Sequence, residues 1–152
     1  RNMTNVESRS GLKKAGQRVM DNVLDEFSRA SMMSKSREAV YNFRAAQDIK
    51  KEVKKYGVQL DIPSHYYQTY VTNEDDFLNG LYTEGMEFLE NENFDAAKSR
   101  FDEIRAISPN YKDVKSLQDT SVLEPKYRRA NVLMGQEDYR QAYKESGRLQ
   151  HG

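Results

Sequence analysis

The chain contains no cysteine and only two histidines, His65 and His151. Disulfides and a thiol nucleophile are therefore excluded, and a zinc site of the Cys/His kind has too few ligands. Absence of cysteine fits an oxidising compartment as well as a reducing one. Prolines number three and glycines eight in 152 residues, of which 37% are hydrophobic and 32% charged. That is an ordinary, slightly polar composition, too periodic to read as disorder. No apolar run approaches the length needed to cross a bilayer. There is no EF-hand loop, no HExxH sequence and no glycine-rich phosphate loop. No signal peptide stands at the start. The chain begins with Arg1, so a processed or excised segment is expected, and a signal or lipid anchor upstream of Arg1 would lie outside it.

Net charge is also missing: 24 basic residues balance 24 acidic ones. Their distribution is uneven. Residues 74–97 carry Glu74, Asp75, Asp76, Glu84, Glu87, Glu90, Glu92 and Asp95 with no lysine or arginine before Lys98, whereas residues 8–55 hold twelve basic and six acidic side chains. Such asymmetry orients a partner or docks one part of the chain on another; its plainer meaning is a solvated helix face.

What is present in abundance is helical periodicity. Residues 1–9 show none and are expected to be flexible; the remaining 10–152 read as one domain. From Ser10 to Ala30, Leu12, Ala15, Gly16, Val19, Val23, Phe27 and Ala30 share one side. Ser34 is positioned to cap a second helix over 35–55, striped by Ala39, Val40, Phe43, Ala46, Ile49 and Val53 and stopped by Gly57. Residues 58–72 allow two readings, an extended linker or a short helical face of Tyr66, Tyr67 and Tyr70 after Pro63. Asn73 and Asp76 form a capping-box pattern before Phe77, Leu78, Leu81, Gly85, Phe88 and Leu89. Asn93 caps the next helix, with Asp95 in its first turn. Asn110 and Asp113 open a short helix to about Asp119. Ser121 and Glu124 start another around Pro125, and Gly135 breaks it before a last helix marked by Tyr139, Ala142, Tyr143 and Leu149. About seven helices result, nearly without strands.

The clearest unit is 81–109. Leu81, Gly85 and Phe88 lie on its first helix, Phe94, Ala97, Phe101 and Ile104 on its second, and Pro109 closes it. Small residues at a crossing let helices approach, and aromatics fill the seam. Ala39 and Phe43 repeat the spacing of Ala97 and Phe101, while Tyr139 and Ala142 match Phe94 and Ala97. Units start near 20, 78 and 123, an irregular spacing.

In this order, residues 78–111 resemble the tetratricopeptide repeat (TPR) family. Leu81, Gly85, Phe88, Phe94, Ala97, Phe101 and Pro109 match its pattern, and Glu84 and Ile104 depart from it. Residues 123–149 resemble it through Ala130, Leu133, Tyr139 and Ala142 but not Ser146, and residues 20–53 through Ala39, Phe43 and Ala46. The stretch Pro109–Asp113 is similar to a connection in bacterial TPR-like proteins, including envelope lipoproteins. The resemblance implies an all-α fold of antiparallel helix pairs stacked as a short, irregular right-handed solenoid. It also implies a peptide-binding face and, more loosely, a bacterial periplasm or envelope location, with cytoplasm as the alternative.

Chemistry offers little against this. Glu84, Glu87 and Glu90 fall at helical spacing, as a solvated face would. His65 has no serine or carboxylate fixed beside it by the sequence. The cluster Lys50, Lys51, Lys54 and Lys55 is interrupted by Glu52 and followed by no recognition module, so no nucleic acid is expected. No catalytic, cofactor-binding or metal-ligating residue is assigned. The expected function is a non-enzymatic scaffold binding a protein or extended peptide, with self-association as a further outcome and no membrane insertion. Its binding residues would be Tyr82, Asn91, Arg128 and Arg129, the arginines pairing with peptide carboxylates. The alternative is a structural module of a larger envelope or multisubunit assembly, its grooves filled by residues 56–72 or another copy.

Overall fold

In the computed structural model, residues 2–151 are described, with side chains described for 6–138, 140, 141, 144 and 145. Those residues are all-α: α1 (Asn2–Met32), α2 (Ser36–Lys54), α3 (Ser64–Glu90), α4 (Phe94–Ile107) and α5 (Val114–His151). They form two compact units, Arg1–Asn79 and Gly80–Gly152. Helix α1 begins at Asn2, ahead of the Ser10 start that the apolar periodicity marks.

In the first unit the buried side of α1 is Gly16, Met20, Leu24, Phe27 and Ala30. Val19, expected on that side, is exposed. The stripe is therefore rotated by about one residue from the one drawn through Val19 and Val23. Met20 and Leu24 take the places expected for the two valines. At the end of α1, Ser34 takes a left-handed φ of 56° and Lys35 donates its N–H to Ala30 O at 2.9 Å. Ser34 thus terminates α1 instead of capping α2, whose N-cap is Lys35 without a side-chain bond. Helix α2 buries Ala39, Val40, Phe43, Ala46 and Val53, as its spacing predicts.

Gly57, at φ 75°, ends the turn after α2. Val58, Leu60 and Ile62 are then buried in alternation, which is the period of extended chain. Leu60 lies so near α1 that a Cβ on Gly16 would stand 3.0 Å from its Cδ1 and 3.3 Å from Val53 Cγ1. The two readings of 58–72 are thus each right for half of it: a strap to Pro63, then a helix from Ser64.

Helix α3 runs without interruption through Asn73, which does not start a helix. Its side chain is buried and donates to Thr69 O at 2.8 Å and Ser31 Oγ at 2.9 Å, so it spends its donors inside the helix and across to α1. The tyrosines of its first two turns reach the aromatic rings of α1 and α2. Tyr70 stacks on Phe43 at 4.3 Å, Tyr67 meets the same ring edge-on at 5.2 Å, and Tyr66 reaches Phe27 at 6.1 Å.

Burial, and then a hydrogen bond with Glu74, pushes the Tyr70 phenol up to about 12. The folded state therefore favours the neutral phenol. Its contribution is complete below the ordinary tyrosine value near 10 and is lost as pH rises towards about 12. Denaturant titrations across that window should show wild type losing more stability than Tyr70→Phe; parallel losses would contradict the shift.

In the second unit α3 turns into α4 through Asn91–Asn93, with Glu92 at φ 61° and Asn93 N donating to Phe88 O at 2.8 Å. Asn93 Oδ1 accepts from Ala96 N at 3.4 Å, so the expected cap is present. Leu81, Gly85, Ala97, Phe101 and Ile104 are buried together. A Cβ on Gly85 would lie 2.5 Å from Phe101 Cε1, the closeness that calls for glycine. Phe88 and Phe94 stay partly exposed beneath guanidinium groups of Arg100 and Arg128, each 5.4 Å from the ring centre.

Helix α5 departs most from expectation. It is one helix of 38 residues, with Pro125 inside it and no break at Gly135. Proline in the interior forgoes one backbone bond and glycine costs about 1 kcal/mol relative to alanine, penalties that 38 residues of ladder absorb. The side chains of Tyr139, Ala142, Tyr143, Ser146, Leu149 and His151 lie outside those described.

Candidate docking groove

Helix α5 meets α4 through Gln118, bonded to Asp102 and Arg105, and through Arg128, whose guanidinium lies over the Phe94 ring, while Val114 and Ser121 are buried. Asp102 on α4 accepts hydrogen bonds from Lys98 at 2.6 Å and from Gln118, and Arg105 Nη1 donates to Gln118 Oε1 at 2.5 Å. Burial pushes the Asp102 carboxyl up, but bonds from Lys98 and Gln118 and the Arg105 charge outweigh it, holding it below the ordinary carboxylate value. Further along, Arg128 forms ion pairs with Glu92 at 2.7 Å and Glu124 at 2.8 Å. These contacts fix α5 against the turn that opens α4.

Beside that seam lies a groove of about 490 Å³. Val122, Pro125, Ala130 and Leu133 give it an apolar floor, and Lys126 and Arg129 stand over it from α5. Asp95 and Lys98 line it from α4. Its cations outnumber its single carboxylate. Lys98 is committed to Asp102, whereas Arg129 is exposed and makes no ion pair among the described residues. An apolar floor under a basic rim suits an amphipathic segment carrying a carboxylate.

The four expected binding residues do not gather in one place. Tyr82 donates its hydroxyl to Asp113 at 2.8 Å, a bond that raises its phenol above the usual value, with Lys112 Nζ 4.5 Å above its ring. Asn91 donates to Glu87 O at 2.9 Å within its own turn. Arg128 is engaged by Glu92 and Glu124. Arg129 alone lines the groove. Lys98, Lys126 and Val122 were not legible as site residues, because an apolar floor between two helices shows only when the helices are placed.

Other candidates for chemistry resolve into structure. Glu84 pairs with Arg100 at 2.6 Å, and Lys55 with Glu52 at 2.8 Å. His65 is exposed, its ring 4.2 Å from that of Tyr66. Among the described residues no three His, Cys, Asp or Glu side chains stand together as a metal site, and no helix is long and apolar enough to cross a membrane. No protein-family model, curated protein or solved structure matches the chain.

Proposed function

We propose that the chain is a non-enzymatic helical-repeat scaffold of TPR-like construction, and that the groove between α4 and α5 receives an amphipathic segment of a protein partner. The observation that carries this reading is the apolar floor of Val122, Ala130 and Leu133 beneath an Arg129 that has no ion-pair partner among the described residues. A buried carboxylate on the incoming segment would satisfy that guanidinium with a charge-assisted bond.

Two registers support antiparallel pairing of the helices. Phe27 meets Phe43 at 5.3 Å, while Gly16, eleven residues earlier, lies beside Val53, ten residues later. In the second unit Glu84 and Gly85 lie beside Arg100 and Phe101, on either side of the 91–93 turn. Stacking of such pairs into a right-handed solenoid belongs to the same proposal.

One observation favours a purely structural role for part of the chain. The strap Val58–Leu60–Ile62 is buried in the first unit, with Leu60 against Gly16. The part of the α1–α2 seam that Leu60 covers is thus occupied by the chain itself.

Affinity capture with the full chain tests the reading. Arg129→Glu should reduce recovery of a captured partner about tenfold, and Ala130→Arg, which blocks the floor, should abolish it. Recovery unchanged by both substitutions, in chains of unaltered helicity, would sink the groove as the docking site.

A further inference from the structure

Arg129, Ala130 and Leu133 of the groove stand 45 residues after Glu84, Gly85 and Phe88, which meet Arg100 and Phe101 of α4. Leu78, Tyr82, Gly85, Phe88 and Leu89 of α3 have Leu123, Tyr127, Ala130, Leu133 and Met134 of α5 as their counterparts. Asn93, Phe94 and Ala97, which open α4, have Asp138, Tyr139 and Ala142. The sequence thus contains both halves of a third helix pair, a receiving face on 123–134 and an inserting helix from 138. Yet α5 continues as one helix through Gly135. A rise of about 1.5 Å per residue carries the inserting half away from the receiving face of its own chain. That face stays open: Tyr127 is 65% exposed and Leu133 58%.

Charge says what would cover it. Glu84 and Arg100 tie α3 to α4 at 2.6 Å. Their counterparts 45 residues later are Arg129 and Glu145, the same pair with its signs exchanged. Both are exposed, and neither makes an ion pair among the described residues. Size is exchanged in the same way. Gly85 and Phe101 meet at the crossing, and Ala130 and Ser146 stand in their places in the sequence. A methyl added on one helix is matched by a ring removed from the other. Both substitutions preserve the fit of a pair while changing each member.

We infer that the groove of one chain is filled by the inserting half of α5 from a second copy, in a two-fold pair of α5 helices running in opposite directions. This identifies the partner of the docking groove and rests on that reading. Setting Arg129 against Glu145 of the partner subunit places the axis beside Glu137 and Asp138. Every contact then occurs twice, as an isologous interface requires, and neither helix has to bend. The register is the one a folded-back hairpin would use, which makes the exchange a form of domain swapping.

Sedimentation velocity on the full chain tests it. Wild type should be a dimer. Arg129→Glu and Glu145→Arg should each raise the dissociation constant about tenfold or more, because each places like charges together twice. An equimolar mixture of the two variants should dimerise again, since each chain then offers the other opposite charges at both contacts. Circular dichroism of the single variants should match wild type. A monomeric wild type, or a dimer indifferent to both substitutions, would overturn the exchange. So would rescue seen only when both substitutions share one monomeric chain, the mark of a helix folded back on itself. A monomer whose groove still captures a foreign protein through Arg129 would overturn the exchange but leave the docking reading standing. A monomer whose capture ignores Arg129 and Ala130 would overturn both.

Discussion

Phe43→Ala is expected to lower the free energy of unfolding by about 3–5 kcal/mol, read from the denaturation midpoint. Phe43 is fully buried and lies within ring-contact distance of three aromatic side chains. It meets Phe27 of α1 at 5.3 Å and, from α3, Tyr67 at 5.2 Å and Tyr70 at 4.3 Å. Truncation would remove the transfer energy of the ring, leave a cavity bounded by three elements, and forfeit the ring–ring terms. Against a typical total of about 5–15 kcal/mol, such a loss is a large share of stability. Phe43→Leu, which keeps most of the volume, should cost about 1 kcal/mol. A small loss for alanine would mean that α3 does not pack on this ring.

Gly85→Val should destabilise by about 3 kcal/mol, and even Gly85→Ala should destabilise although alanine is the better helix former. The reason is local. The added Cβ would stand 2.5 Å from Cε1 and 2.8 Å from Cζ of Phe101, a ring with no solvent exposure, so that the ring or the helix must shift. At Gly80 and Gly135 an added Cβ meets nothing within 4 Å. Alanine there should instead stabilise, by up to about 1 kcal/mol. The informative comparison is the sign of the same substitution at three helical positions, measured by chemical denaturation. Phe101→Leu should relieve part of the Gly85→Ala penalty, because the branched chain leaves the crossing point freer than a ring.

Helix type was legible wherever apolar spacing coincided with a small residue, as in Leu81, Gly85, Ala97 and Phe101. Steric need and hydrophobic period point the same way there, so the buried set follows from the sequence. Where a residue has two uses, sequence alone misassigns it. Asn73 has the spacing of a cap, but the Thr69 carbonyl inside α3 and Ser31 of α1 take its donors. Ser34 is a good cap by type, yet the turn needs a left-handed residue at that position. Gly135 and Pro125 are breakers by propensity, and a long helix carries both. The strap at 58–62 was legible as extended chain, but its burial escaped because three apolar residues alternate over too short a span to stand out beside helical neighbours. Of the candidate site, Arg129 was legible as an exposed cation. Its neighbours Lys98 and Lys126 come to the groove only through the packing of α4 on α5.

Site-specific photo-crosslinking from position 133 in the full chain tests the docking groove most directly, with the same probe at Asp25 on the exposed side of α1 as control. Leu133 lines the groove, whereas Asp25 is exposed and stands outside it. The expected result is a protein adduct from position 133, lost on Ala130→Arg, and none from position 25. No adduct from position 133, or equal adducts from both positions, would contradict a docking site between α4 and α5.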